Sequence, residues 1–236
     1  MNGNLRRLLV PIARIINFIP NLISRVLKTP PMVFTLDMAY YERAIDLSSV
    51  ADRTRVSSLE LVAREIHNKQ IGGSVAEVGV FEGEFSKFIN LLFPDRSIYL
   101  FDTFEGFDNK DLKEDTEKGL FTLDQDFSKT NINLVIGKMP HPHMCIIKKG
   151  YFPETVGDLN DSFCFVSLDA DLFNPIFEGL KYFYPRLMKG GYIFVHDYNN
   201  APYGGVREAV KKFSEEYSDA TFFPLSDWGG TLVIMK

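Results

Sequence analysis

Three stretches of the chain are apolar almost to their last residue and then end in aspartate: Ser97–Asp102 (SIYLFD), Phe163–Asp169 (FCFVSLD) and Tyr192–Asp197 (YIFVHD). A fourth, Ser74–Val78, runs straight into Gly79. Strands without polar alternation are buried on both faces, which requires helices above and below a parallel sheet. Helical spacing of apolar residues supplies those covers over Ser57–His67, over Glu84–Leu92, from Asn174 to Met188, and after Gly204-Gly205. Asn174 is the expected cap of the third helix, with Pro175 at its first position and Gly190-Gly191 as its stop. Cys145–Lys148 adds a short strand. Two final strands, Thr221–Pro224 and Thr231–Met235, are joined by a link too short for a parallel crossover, so they form a hairpin. The prediction is an α/β, doubly wound, mostly parallel seven-stranded sheet with an antiparallel C-terminal hairpin.

The 236 residues suit one main domain, expected over 51–236, with an appendage over 1–50. Pro30-Pro31 marks the break between them. From Met1 to Lys28 there are five cations (Arg6, Arg7, Arg14, Arg25, Lys28) and no acid, mixed with many leucines and isoleucines. Pro11, Arg14 and Pro20 interrupt the apolar run, which excludes a membrane span. No small-residue cleavage site follows a clean apolar core, so no secretory signal is expected. Two readings remain for residues 1–28. The segment packs as a helix on the domain or on a second subunit, or it makes a peripheral contact with an anionic membrane surface. Residues 103–140 are polar and irregular, with a weak helical pattern near Ile132–Ile136. So long a connection in a compact domain is expected to act as a lid or substrate region.

The balance of 26 basic against 31 acidic residues argues against a nucleic-acid partner, which demands clustered cations. Cys145 and Cys164 lie in apolar stretches and read as buried thiols, consistent with a cytoplasmic location.

The first strand leads into Glu77-Val78-Gly79-Val80-Phe81-Glu82-Gly83. Glycines here allow a sharp turn and the close approach of a ligand at the carboxyl ends of the strands. The same loop is compatible with a plain structural turn or with a nicotinamide dinucleotide. Its spacing departs from G-x-G-x-x-G, however, and Glu77 offers a carboxylate for the ammonium of a methionine moiety. Asp102 suits two ribose hydroxyls, although acids in this place also occur in NAD-binding folds. With the terminal hairpin, these features favour S-adenosylmethionine (SAM). Glu77, Gly79, Gly83 and Asp102 are the candidate cofactor contacts, and Asp169 borders the same place.

Asp169 and Asp171 are two apart, so both carboxylates can face one cleft. His196 and Asp197 end the next apolar strand, its neighbour in such a sheet. Oxygen ligands with one imidazole suit Mg²⁺, or Mn²⁺ which tolerates nitrogen better. The candidate metal set is Asp169, His196 and Asp197. The candidate catalytic residues are Asp171 and His196, since a free carboxylate beside a metal-activated hydroxyl can accept its proton. The plainer reading makes these side chains loop caps, with His196 only a neighbour of the ligands.

In order along the chain, EVGVFEGEFS, LFDTFEGF, KKGYFPETV, SLDADLF, LMKGGYIFVHDY and GGVREAV resemble the macrocin O-methyltransferase (TylF-like) family over roughly residues 55–236. The resemblance implies a class I methyltransferase fold, methyl transfer from SAM to hydroxyls, notably of sugars on small molecules, a divalent metal and a homodimer. By position it makes Glu77, Gly79 and Asp102 SAM contacts, Asp169 a metal ligand and Asp171 the general base. The family usually has two adjacent acids where this chain has His196-Asp197, which leaves His196 acting as base without metal as a variant. The other readings are a non-catalytic SAM-binding or membrane-associated scaffold and, less compatible with the glycine spacing, a nicotinamide oxidoreductase.

Overall fold

A computed structural model describes residues 3–28, 42–123 and 126–236. The chain divides into two units, residues 1–43 and 44–236. The first contributes helix α1 (Gly3–Leu27), which continues through Pro11 and Pro20. The expected break at Pro30-Pro31 lies outside the described residues.

The second unit is built on a seven-stranded sheet. In chain order its strands are β1 (Ser74–Val78), β2 (Ile98–Asp102), β3 (Cys145–Lys149), β4 (Phe163–Leu168), β5 (Leu187–Val195), β6 (Thr221–Pro224) and β7 (Leu232–Met235). Across the sheet they run β3-β2-β1-β4-β5-β7-β6. All neighbours are parallel except around β7, which is antiparallel to both β5 and β6. This is the predicted doubly wound sheet with its terminal hairpin. The chain winds outward from β1 through β2 to β3, then returns to lay β4 on the other side of β1. That reversal opens a crevice above the carboxyl ends of β1 and β4, the place where open α/β sheets take ligands.

The helices of this unit are α2 (Arg53–Asn68), α3 (Ser86–Leu92), α4 (Asn109–Glu117), α5 (Ile132–Lys138), α6 (Phe173–Arg186) and α7 (Gly204–Glu216). They bury the sheet on both faces, and the strand pleat sorts the core accordingly. Val75 packs into a cluster with Leu59 and Ile66 of α2 and Ile89 of α3, while Ala76 and Val78 join Leu180 of α6 and Phe213 of α7. Residues of β4 are buried along its whole length, as its unbroken apolar run requires.

Three local expectations are corrected. Asn174 is not the cap of α6. The helix begins at Phe173, two residues before the expected Pro175, and Asp115 of α4 accepts the Phe173 amide at 2.7 Å in place of a local cap. Gly190-Gly191 does not separate helix from strand. β5 starts at Leu187 and passes through the glycines, and the β4–β5 register shifts between Phe163↔Leu187 and Phe165↔Tyr192. Gly190, at φ +83°, sits in that bulge, where glycine avoids the left-handed penalty. Residues 103–140 are not irregular throughout. They hold α4 and α5, the latter on the weak pattern expected near Ile132–Ile136, and the buried Asp111 and Asp115 point α4 inward. Residues 124 and 125 lie outside the described residues.

Phe183 of α6 is fully buried among rings of two strands and a loop, with centroids 4.9 Å from Phe163, 6.0 Å from Phe101 and 6.1 Å from Phe152. We predict that Phe183→Ala lowers the unfolding free energy by about 3–5 kcal/mol in urea titration, by lost burial plus a residual cavity. A loss below about 1 kcal/mol would mean that this cluster does not hold α6 to the sheet.

Candidate active site

Each predicted acid stands at the end of a strand, and the loop after β1 explains how they are held. Asp102 closes β2. Its Oδ2 accepts the amides of Val80 (2.7 Å) and Phe81 (2.9 Å), and its Oδ1 accepts that of Phe104 (2.6 Å). The carboxylate thus fixes the glycine loop before any ligand arrives. Phe81 and Phe104 have positive φ, which those bonds hold in place. Gly79 makes the sharp turn the sequence suggests and is needed for a second reason as well. At φ +83° its Cβ would lie 2.0 Å from the carbonyl oxygen of Asp169, so the requirement comes from the neighbouring strand end. Gly83 does not border the cleft. Its missing Cβ faces Val135 and Met139 of the α5 region, so this glycine serves packing.

Glu77 is buried at 1% exposure yet reaches the cleft, with Ser86 Oγ donating to its Oε2. Burial pushes its carboxyl up to about 8, against the opposing effects of Ser86 and Arg55.

Four residues meet beyond the ends of β4 and β5. Asp169 Oδ1 lies 2.9 Å from His196 Nδ1, and the same nitrogen lies 2.7 Å from Asp197 Oδ2. The outer oxygens are taken by other donors. Arg55 Nη1 reaches Asp169 Oδ2 at 2.9 Å, and Asn200 Nδ2 reaches Asp197 Oδ1 at 2.7 Å. Arg55 also donates to Ser167 Oγ at 3.2 Å and lies 3.8 Å over the Phe85 ring. Burial would raise the Asp169 pKa, but His196 and Arg55 outweigh it and hold the carboxyl below its ordinary range. Burial likewise works against a charged His196, yet Asp169 and Asp197 raise its pKa to about 10. Asp171 is pushed well up by burial and by the negative charge of Asp169 and Asp197. Asp171 (φ +62°) and Asp197 (φ +56°) both adopt the left-handed conformation, which aspartate tolerates better than most residues. Gly229 closes the far side of the imidazole, since a Cβ there would lie 2.5 Å from His196 Nε2.

One cavity of about 510 Å³ joins these groups, running past Glu77, Gly79 and Asp102 to Asp169, Asp171, His196 and Asp197. Phe107 and Phe127 line it, whereas Phe104 and Phe121 are buried in the core. Tyr151 and Trp228 complete the wall. Tyr151 Oη donates to Asp111 at 2.8 Å and accepts from Asn174 Nδ2 at 2.6 Å, tying α4, the β3 loop and α6 together at the cavity edge. Arg55, Tyr151, Asp111 and Trp228 were not legible as site residues. Only Tyr151 lay in a flagged motif, KKGYFPETV. His67, His141 and His143 lie away from the cavity. Cys145 and Cys164 are free thiols, half-buried and buried.

Comparison with known proteins adds the chemistry of relatives to this geometry. Residues 44–230 match the model of the macrocin O-methyltransferase (TylF) family. A comparison with curated proteins gives no match. Among solved structures, the O-methyltransferase NovP shares 16% identity at TM-score 0.63, over 78% of this chain and 79% of its own. The calicheamicin methyltransferase CalS11 shares 20% at TM-score 0.63, over 77% and 78%. TomG from Streptomyces achromogenes, an O-methyltransferase of tomaymycin synthesis in complex with SAM, shares 14% at TM-score 0.50, over 92% and 87%. At these identities the likeness shows the fold, and the match to the family model carries the assignment. The chain belongs to the TylF family of SAM-dependent O-methyltransferases.

Proposed function

We propose that this protein transfers a methyl group from SAM to a hydroxyl of a sugar or glycosylated small molecule, assisted by a divalent metal ion. The observation that carries this reading is the single cavity linking the glycine loop to the Asp169–His196–Asp197 cluster. A donor seated at one end and an acceptor at the other would share one cleft. Wall residues of the acceptor side combine aromatic faces (Phe107, Phe127, Tyr151, Trp228) with polar groups (Asp108, Asp111, Asn200), a mixture suited to a sugar ring. NovP and CalS11 are themselves O-methyltransferases of the same fold.

SAM, when bound, supplies an electrophilic methyl carbon on a sulfonium that leaves as a neutral thioether. Glu77 would pair with its ammonium, and Asp102 would meet the ribose through the capacity left on Oδ1. The donor set also fits a metal. Three ligand atoms converge, Asp169 Oδ1, His196 Nδ1 and Asp197 Oδ2, at separations of 2.9 and 2.7 Å from the shared nitrogen. Neighbouring ligands of an octahedral ion with bonds of about 2.1 Å stand about 3 Å apart. Arg55 and Asn200 hold the outer oxygens and leave the inner ones free to ligate. A nitrogen in the set favours Mn²⁺ more than an all-oxygen set would. Such an ion supplies acidification of the acceptor hydroxyl. His196 Nδ1 faces two carboxylates whether it carries a proton or a metal, so it is poorly placed as the base. Asp171, raised by burial and by its carboxylate neighbours, including a hydrogen bond with Asp197, would act as base once the cations of SAM and the metal offset that negative charge, and would then take the hydroxyl proton as the oxygen attacks the methyl carbon.

Three outcomes are expected. Asp171→Asn lowers turnover by roughly 10²–10⁴-fold while SAM affinity, measured separately, stays near wild type; wild-type turnover in this variant would remove Asp171 as the base. Chelation with EDTA abolishes turnover, and Mn²⁺ or Mg²⁺ restores it; undiminished turnover after chelation would remove the ion from the reaction. The third concerns pH. Glu77 has a folded pKa of about 8, above its ordinary 4.5, so the fold favours its protonated form. That stabilisation is complete below pH 4.5 and is lost as pH rises through about 8. Glu77→Gln stays neutral throughout, so the stability of wild type relative to the variant should fall across this window in denaturation series. Parallel curves would show that burial of Glu77 does not perturb it.

A further inference from the structure

The catalytic unit leaves the basic N-terminal segment without a task, and its pattern is the least ordinary in the sequence. α1 spans 25 residues, Gly3–Leu27. Turned at 100° per residue, positions 5, 8, 9, 12, 15, 16, 19, 22, 23, 26 and 27, all isoleucine, leucine or valine, fall on one broad stripe. Positions 7, 14 and 25, all arginine, fall within about 20° of one another on the other side. Ile15, Ile19, Leu22 and Val26 are exposed, at 70%, 62%, 51% and 74%. None of the described helices is long and apolar enough to cross a membrane.

We propose that α1 lies in the plane of an anionic lipid surface, with its apolar stripe in the acyl boundary and its arginines at the headgroups. Charge argues against one occupant of this face, the α1 of a second copy. Residues 1–28 carry five cations and no acid, whereas the rest of the chain carries 21 basic and 31 acidic residues. Pairing α1 with α1 of a second copy would bring two wholly cationic segments together. An anionic bilayer offers an apolar layer and negative charge in one place, which a basic amphipathic helix requires. The acidic remainder of the chain would be repelled by that surface, so α1 would be the part that binds. The inference is independent of the proposed reaction.

The test is co-sedimentation of the full chain with vesicles of phosphatidylcholine alone and of phosphatidylcholine mixed with phosphatidylglycerol. Recovery on the anionic vesicles should exceed that on neutral ones by on the order of tenfold and fall as salt is raised. The double variant Arg14→Glu/Arg25→Glu should lose on the order of tenfold in binding. Ile15→Asp/Ile19→Asp should abolish it, with the thermal midpoint of the catalytic unit unchanged in both. Equal recovery on the two vesicle types, or none on either, would overturn the proposal. So would Ile15→Asp/Ile19→Asp splitting an oligomer while vesicle recovery stays at the wild-type level, since a second copy would then cover the stripe.

Discussion

Three carboxylates meet above the ends of β4 and β5, and the ion pair of Arg55 with Asp169 at 2.9 Å makes that crowding tolerable. Arg55 is nearly buried, with 8% of its side chain exposed, and Phe85 stacks on it from one side. Removing one member of such a buried pair commonly costs about 3–5 kcal/mol, because the other charge is left uncompensated. The arrangement is still short of positive charge. Among the described residues, nine acids line the cavity (Glu77, Glu82, Glu84, Asp102, Asp108, Asp111, Asp169, Asp171 and Asp197), against Arg55 and His196. Burial first, and the surrounding carboxylates after it, raise the pKa values of Glu77 and Asp171. A cavity of this sign suits a ligand carrying a sulfonium and an ammonium, and a divalent cation beside it. It is ill suited to the pyrophosphate of a dinucleotide, whose usual seat is a helix N-terminus free of such acids.

Backbone geometry and electrostatics cooperate at this point. Gly79 allows the first loop to pass over the end of β4, and Asp102 clamps the same loop from the other side. Asp171 and Asp197 turn away from their strands through left-handed backbone, which aims both carboxylates into the cleft. Gly229, in the terminal hairpin, leaves room for the imidazole between them. Loops after four different strands and the β6–β7 turn therefore build one site, and the sheet order is what brings them together.

Much of this was legible in the sequence, for identifiable physical reasons. An apolar run that ends in an acid marks both a buried strand and the residue it delivers to the cleft, so Asp102, Asp169 and Asp197 were found together with the fold, and Glu77 was found through the glycine loop it precedes. Arg55 was not, because its partner lies 114 residues further along the chain and nothing local to α2 signals the pairing. Tyr151 and Asp111 form a bond between a loop and α4 whose packing no periodicity encodes. Gly83 was misplaced because a glycine facing a helix and a glycine facing a ligand look alike in sequence. The start of β5 was missed because a bulge absorbs Gly190 within a strand, where paired glycines ordinarily signal an end.

The central claim is that the crevice between β1 and β4 is a SAM site. Calorimetric titration of the protein with SAM, with NAD as the control ligand, addresses it most directly. SAM is expected to bind at micromolar concentration, with binding lost in Asp102→Ala and no heat from NAD. Absence of SAM binding with and without divalent metal, or tighter binding of NAD, would contradict it.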